Sequence, residues 1–142
     1  MKVVINDTNI GLNLNIKAIK RYIELIGKEC YFYKFTEDPF ICADQFKYEL
    51  VDNIEDASII ITKNLGKIIN GLIPREFCFK YYSMNIDRTD PILIQVVEEL
   101  GEEVNDCYHT SSITIKEIPD NVSWEILNIM QLGVQREIIA LK

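Results

Sequence analysis

A chain of 142 residues, 48% of them apolar and 26% charged, has enough material for one domain with a core of its own. Its net charge of −7 argues against general affinity for nucleic acid polymers, which are held by dense Lys/Arg surfaces. No apolar run approaches the ~20 residues that span a bilayer and no signal-peptide core opens the chain, so a cytoplasmic protein without membrane contact is expected.

Lys2–Asn6, built on Val3, Val4 and Ile5, reads as a short strand. Its exit, Asp7-Thr8-Asn9-Ile10-Gly11, has one glycine and no Lys-Ser/Thr pair, so it reads as a plain turn rather than a phosphate loop. Asn13 or Asn15 then caps a helix over Ile16–Ile26, with Ile16, Ile19, Ile23 and Ile26 on one face and Gly27 as its stop. Lys17, Lys20 and Arg21 fall off that face and read as solvated. The aromatic run Cys30-Tyr31-Phe32-Tyr33-Lys34-Phe35 favours a strand over Glu29–Phe35, covered on at least one face.

From Glu37 to Asp56 seven carboxylates stand against Lys47 alone, which predicts a solvated loop or ragged edge. Ser58–Thr62 is a short buried strand, Lys67–Pro74 a turn-containing connection, and Glu76–Tyr82 a second aromatic strand. Cys30, Cys42, Cys78 and Cys107 form no C-x-x-C pair, and the single histidine, His109, lies near just one of them. Neither a metal site nor a cofactor is expected, and Cys30 and Cys78 are most simply buried thiols.

The best-specified element is a helix over Ile92–Leu100. Asp90 is a preferred N-cap, and Pro91 fits the first helical position. Leu93, Val96, Val97 and Leu100 recur at helical spacing, and Gly101 ends the run. At its leading edge Arg88, Thr89 and unpaired backbone N–H groups converge. Either Thr89 and Asp90 simply cap the helix while Arg88 pairs with Asp87 or Asp90, or the turn is a small anion site. An aromatic strand delivered into such a turn would set rings beside phosphate donors, which suits a purine nucleotide. Arginine occurs elsewhere only at Arg21, Arg75 and Arg136, so phosphate forks are few.

After Gly101 comes a polar connection containing His109, more simply a hydrogen-bonded side chain than a catalytic base. Ser112–Ile118 and Val122–Leu127 read as strands joined by a Pro119-Asp120-Asn121 turn, and Val134–Leu141 as either strand or helix. The pattern predicts an α+β fold: one domain over residues 1–142, mainly antiparallel sheet with two main helices.

The run Asp87-Arg88-Thr89-Asp90-Pro91-Ile92-Leu93-Ile94-Gln95-Val96-Val97-Glu98-Glu99-Leu100-Gly101 resembles the hallmark segment of the type 1 Thoeris anti-defence proteins of bacteriophages. The opening Met1–Asn6, the Ile19–Gly27 helix with the Tyr/Phe-rich strand after it, Ile115–Asp120 and Trp124-Glu125-Ile126 are similar in the same order, together about half of the chain. Two stretches differ: the turn after the first strand is not glycine-rich, and Leu127–Gly133 stands where the family has an acidic, glycine-containing segment.

The resemblance implies a sponge that captures cyclic ADP-ribose-type signals, such as glycocyclic ADP-ribose, made by bacterial TIR-domain enzymes. Such a sponge withholds the signal from its effector without cleaving it. It also implies a homo-oligomer, a dimer or an assembly of dimers, working in the host cell cytoplasm. By the same resemblance Arg88, Thr89 and Asp90 contact the ligand or shape its pocket, Tyr81 and Tyr82 are candidates for stacking on the base, and His109 is a peripheral candidate. Two other functions compete with it. A hydrolase of a cyclic nucleotide has no nucleophile elbow, histidine cluster or paired-carboxylate spacing behind it. An inhibitor that docks an acidic face on a host protein rests only on the charge runs at Glu37–Asp56 and Glu98–Asp106.

Overall fold

Val3, Val4 and Ile5 are at most 2% exposed, so the opening strand is core on both faces. The computed structural model describes residues 1–36, 46–79, 86–105 and 111–142. In chain order the elements are β1 (Lys2–Asn6), α1 (Ile16–Leu25), β2 (Tyr31–Phe35), β3 (Lys47–Val51), β4 (Ile59–Ile61), β5 (Ile68–Asn70), α2 (Pro91–Leu100), β6 (Ile113–Glu117), β7 (Trp124–Gln131) and β8 (Val134–Leu141). Every strand pairing among the described residues is antiparallel, and the fold is α+β. By their contacts the residues fall into two units, Met1–Ala18 with Met84–Lys142, and Ile19–Ser83.

In the first unit β1 pairs along its whole length with β6, from Lys2 opposite Glu117 to Asn6 opposite Ile113. Alternation gives this ribbon an apolar face of Val3 and Ile5, which with Ile118 packs against Trp124, Ile126 and Ile139 of the β7–β8 hairpin. Helix α2 lies along the same ribbon, touching β1 and β6 and burying Leu93, Val96 and Val97 as its spacing predicts. Asp90 caps it by accepting from the Ile92 N–H at 2.9 Å, and Gly101 ends it at φ +57°, backbone that favours glycine.

The tail that reads equally as strand or helix is a strand. β8 pairs with β7 in register from Trp124–Leu141 to Gln131–Val134, and Leu132 and Gly133 turn the hairpin at φ +53° and +80°. This pairing satisfies backbone groups that an isolated apolar run would leave open.

In the second unit the strand order is β4-β2-β3-β5. Tyr33, at its centre, is fully buried among Ile61, Ile69 and Cys78. Its hydroxyl donates to the Gly66 carbonyl at 2.8 Å and accepts from the Leu65 N–H at 3.0 Å, so burying the phenol leaves no orphan.

Four expectations need correction. Within the acidic run expected to be loop, Lys47–Val51 forms β3, because Tyr48 and Leu50 alternate inward against Phe35 and Tyr33 while Glu49 points to solvent. Ile68–Asn70, expected as connection, is the edge strand β5. The aromatic strand expected over Glu76–Tyr82 does not form over its described part. Arg75–Phe77 is a 3-10 turn entered from Pro74, and Cys78 makes only an isolated bridge to Ile61. Finally, α1 stops at Leu25 with Ile26 39% exposed, while Ala18 and Ile23 take the buried positions.

Candidate functional site

The turn before α2 is built on the short-range bonds its sequence favours. Asp87 Oδ1 accepts from both the backbone N–H (2.9 Å) and the hydroxyl (2.7 Å) of Thr89, and the Asp90 N–H closes on the Asp87 carbonyl at 2.9 Å. These bonds from Thr89 hold the Asp87 carboxyl below its usual range. Thr89 and Asp90 therefore shape the turn as caps.

Arg88 pairs with neither Asp87 nor Asp90. Its two terminal nitrogens donate to the two oxygens of Glu137, Nη1 to Oε1 at 2.7 Å and Nη2 to Oε2 at 2.8 Å, and Nη1 also reaches the Val4 carbonyl at 3.1 Å. The same carboxylate accepts the backbone N–H of Asn6 at 2.8 Å and of Gly11 at 2.9 Å. Glu137, in the middle of β8, is 2% exposed. Burial alone pushes its carboxyl up. The Arg88 hydrogen bonds, the N–H groups of Asn6 and Gly11 and the Arg88 charge outweigh that and hold it below the usual carboxylate value.

Asn6, itself fully buried, extends this node. Its Nδ2 donates to the Gly11 carbonyl at 3.0 Å, and its Oδ1 accepts from Thr8 N–H at 3.2 Å and Ser112 N–H at 3.0 Å. One buried carboxylate thus ties the turn before α2, the turn after β1, and β8 into a single body. In this arrangement the Glu137 carboxylate fills the guanidinium fork that a ligand phosphate would need, which makes Arg88 a positioning residue. Glu137 is not legible as a site residue in the sequence, because it sits in a tail with no clear period. The usable signal is a carboxylate set directly before the apolar run Ile138-Ile139-Ala140-Leu141.

A cleft of about 700 Å³ opens at the other end of α2, lined by Val97, Gly101, Glu102 and Asn105 and by residues 111–115. Asn105 is held by its Oδ1, which accepts from the Ile113 N–H at 2.8 Å, and Ser111 Oγ donates to the Asn13 carbonyl at 3.0 Å. Thr114 Oγ1 is buried with no hydrogen-bond partner. A second, smaller cleft of about 300 Å³ runs beside Ile5, Ile118, Arg136 and Ile139.

Of the predicted ligand residues, Arg88, Thr89 and Asp90 come together at the turn. Tyr81, Tyr82 and His109 lie outside the described residues. Among the described residues no group of three or more His, Cys, Asp or Glu side chains is placed to hold a metal ion, and no helix is long and apolar enough to cross a membrane. No protein-family model, curated protein or solved structure matches this chain.

Proposed function

We propose that this chain is a binding protein that captures cyclic ADP-ribose-type nucleotides and withholds them from an effector without cleaving them. The observation that carries the reading is the run Asp87–Gly101, which resembles the hallmark of phage Thoeris anti-defence sponges. Two structural facts support it. The run is anchored through Arg88 to a buried carboxylate, as a pocket wall that must not move on binding should be. The helix it forms also ends at a cleft whose volume is in the range of nucleotide sites.

In this reading Arg88, Thr89 and Asp90 shape the pocket from a distance, by fixing the turn that starts α2, while Tyr81 and Tyr82 stack on the base and His109 lies at the periphery. A sponge must bind its signal more tightly than the effector does, and each tenfold advantage takes about 1.4 kcal/mol. The protein works as a homo-oligomer. The hairpin supports this, since Met130 is 67% exposed, Leu132 98% and Val134 49%, more apolar surface than a lone hairpin needs. Sedimentation velocity tests the association: a monomer at micromolar concentration speaks against it.

Calorimetric titration with glycocyclic ADP-ribose tests binding. Saturable heat with a fixed ratio of ligand to chain, and unaltered ligand recovered afterwards, is expected. Absence of heat, or recovery of a linear product, overturns the reading.

A further inference from the structure

The β7–β8 hairpin pairs only with itself. Lys142 N–H donates to the Ser123 carbonyl at 2.8 Å, so antiparallel alternation makes Glu125 with Ala140, Leu127 with Ile138, Ile129 with Arg136 and Gln131 with Val134 the hydrogen-bonded pairs. The backbone N–H and C=O groups of Trp124, Ile126, Asn128 and Met130 therefore point away from β8, and among the described residues no strand meets them. β8 is the sheltered side of the hairpin: it touches β1, its Glu137 is buried, and Lys116 and Arg136 line the cleft along it. β7 is the bare side. Glu125, Leu127, Asn128, Met130 and Gln131 are exposed, and the strand has neither the proline nor the lysine that commonly blunts a free edge.

We propose that β7 pairs antiparallel with β7 of a second copy of this chain, across a twofold axis at Asn128, joining two hairpins into one four-stranded sheet. The strand is complementary to itself in that register. Ile126 falls opposite the partner's Met130, Leu127 opposite the partner's Ile129, and Glu125 opposite the partner's Gln131, while Asn128 meets its own copy on the axis. Apolar residues face apolar ones, polar face polar, and no like charges meet. A shift of one residue loses this match: centring on Leu127 sets Glu125 against Ile129, and centring on Ile129 sets Leu127 against Gln131. The pairing also brings Leu132, 98% exposed, across from the partner's Trp124, and satisfies backbone groups along an edge that two strands alone leave open. The proposal rests on the homo-oligomer reading for the fact of association and adds where it occurs.

Two sets of variants of the full chain test it. Met130 N–H points out of the hairpin, so Met130→Pro removes a bond to the partner and none to β8. Gln135→Pro does the same on the opposite edge and serves as the control. By sedimentation velocity at micromolar concentration, wild type and Gln135→Pro are expected to remain associated, and Met130→Pro to lose at least half of the assembled mass. The second set is Glu125→Cys with Gln131→Cys. Within one chain these positions are about 20 Å apart, too far for a disulfide, whereas across the axis they form a non-hydrogen-bonded pair with Cα atoms about 4.5 Å apart. The double variant is expected to give a reducible covalent dimer with the 125–131 bond found by peptide mapping, and neither single variant to do so. A wild-type monomer overturns both the proposal and the homo-oligomer reading. Persistence of the assembly in Met130→Pro, its loss in Gln135→Pro as well, or absence of the 125–131 cross-link in an associated double variant overturns the β7 interface and leaves the homo-oligomer standing.

Discussion

A carboxylate that is 2% exposed and meets four donors carries charge the fold depends on. Glu137→Gln keeps the shape but strips the charge, leaving the Arg88 guanidinium facing a neutral amide that must also turn a donor toward N–H groups. Breaking a buried pair from one side costs about 3–5 kcal/mol, and urea unfolding of the variant should show a loss of that order. The pH dependence follows from the lowered carboxyl value. A group held ionised in the folded state adds stability above its unfolded pKa, about 4.3 for Glu, and loses it as pH falls through the folded value. The stability gap between wild type and Glu137→Gln should hold from pH 7 to about 5 and narrow below that. A gap that stayed constant to about pH 3 would mean the carboxylate is not the group that matters.

At the scale of elements, α2 and the β7–β8 hairpin differ in how well their sequences suit them. Asp90→Ala removes the cap bond to Ile92 and should cost about 1 kcal/mol by urea unfolding. The hairpin turn is less well matched. Leu132 holds φ +53°, a conformation that costs a non-glycine residue about 1–2 kcal/mol and that asparagine tolerates best. Leu132 is 98% exposed, so Leu132→Asn sacrifices little packing within the chain and makes the Asn-Gly pair such turns favour. At concentrations where the chain is monomeric it should raise the melting temperature by a few degrees, about 1 kcal/mol. The same contrast explains what could be read from sequence. Asp90, Pro91 and Gly101 are local signals acting on their own backbone, so α2 was legible to within a residue. β3 was hidden by counting carboxylates where alternation was the relevant pattern, and β5 is three residues long. The 75–79 stretch has strand-forming residues, but Pro74 starts a 3-10 turn there. Arg88 was legible as a residue needing an anion; its partner is 49 residues away across the fold, a distance no local rule spans.

At the scale of the whole molecule, an acidic chain can hold an anionic nucleotide only if its own carboxylates are kept out of the way. Glu137 is neutralised by Arg88, and Asp7 pairs with Arg136 at 2.7 Å, so two of the carboxylates nearest the turn after β1 are already matched. A sponge also requires one outcome that neither an enzyme nor an acidic inhibitor shares, namely cargo retained whole. The most direct measurement is to incubate the purified protein with extract from cells whose TIR-domain defence is active, recover it with its cargo, denature it by heat, and identify the released small molecules by mass spectrometry. An intact cyclic ADP-ribose-type nucleotide in near-stoichiometric amount is the expected result. Release of a linear or hydrolysed product, or of no nucleotide at all, would contradict a sponge.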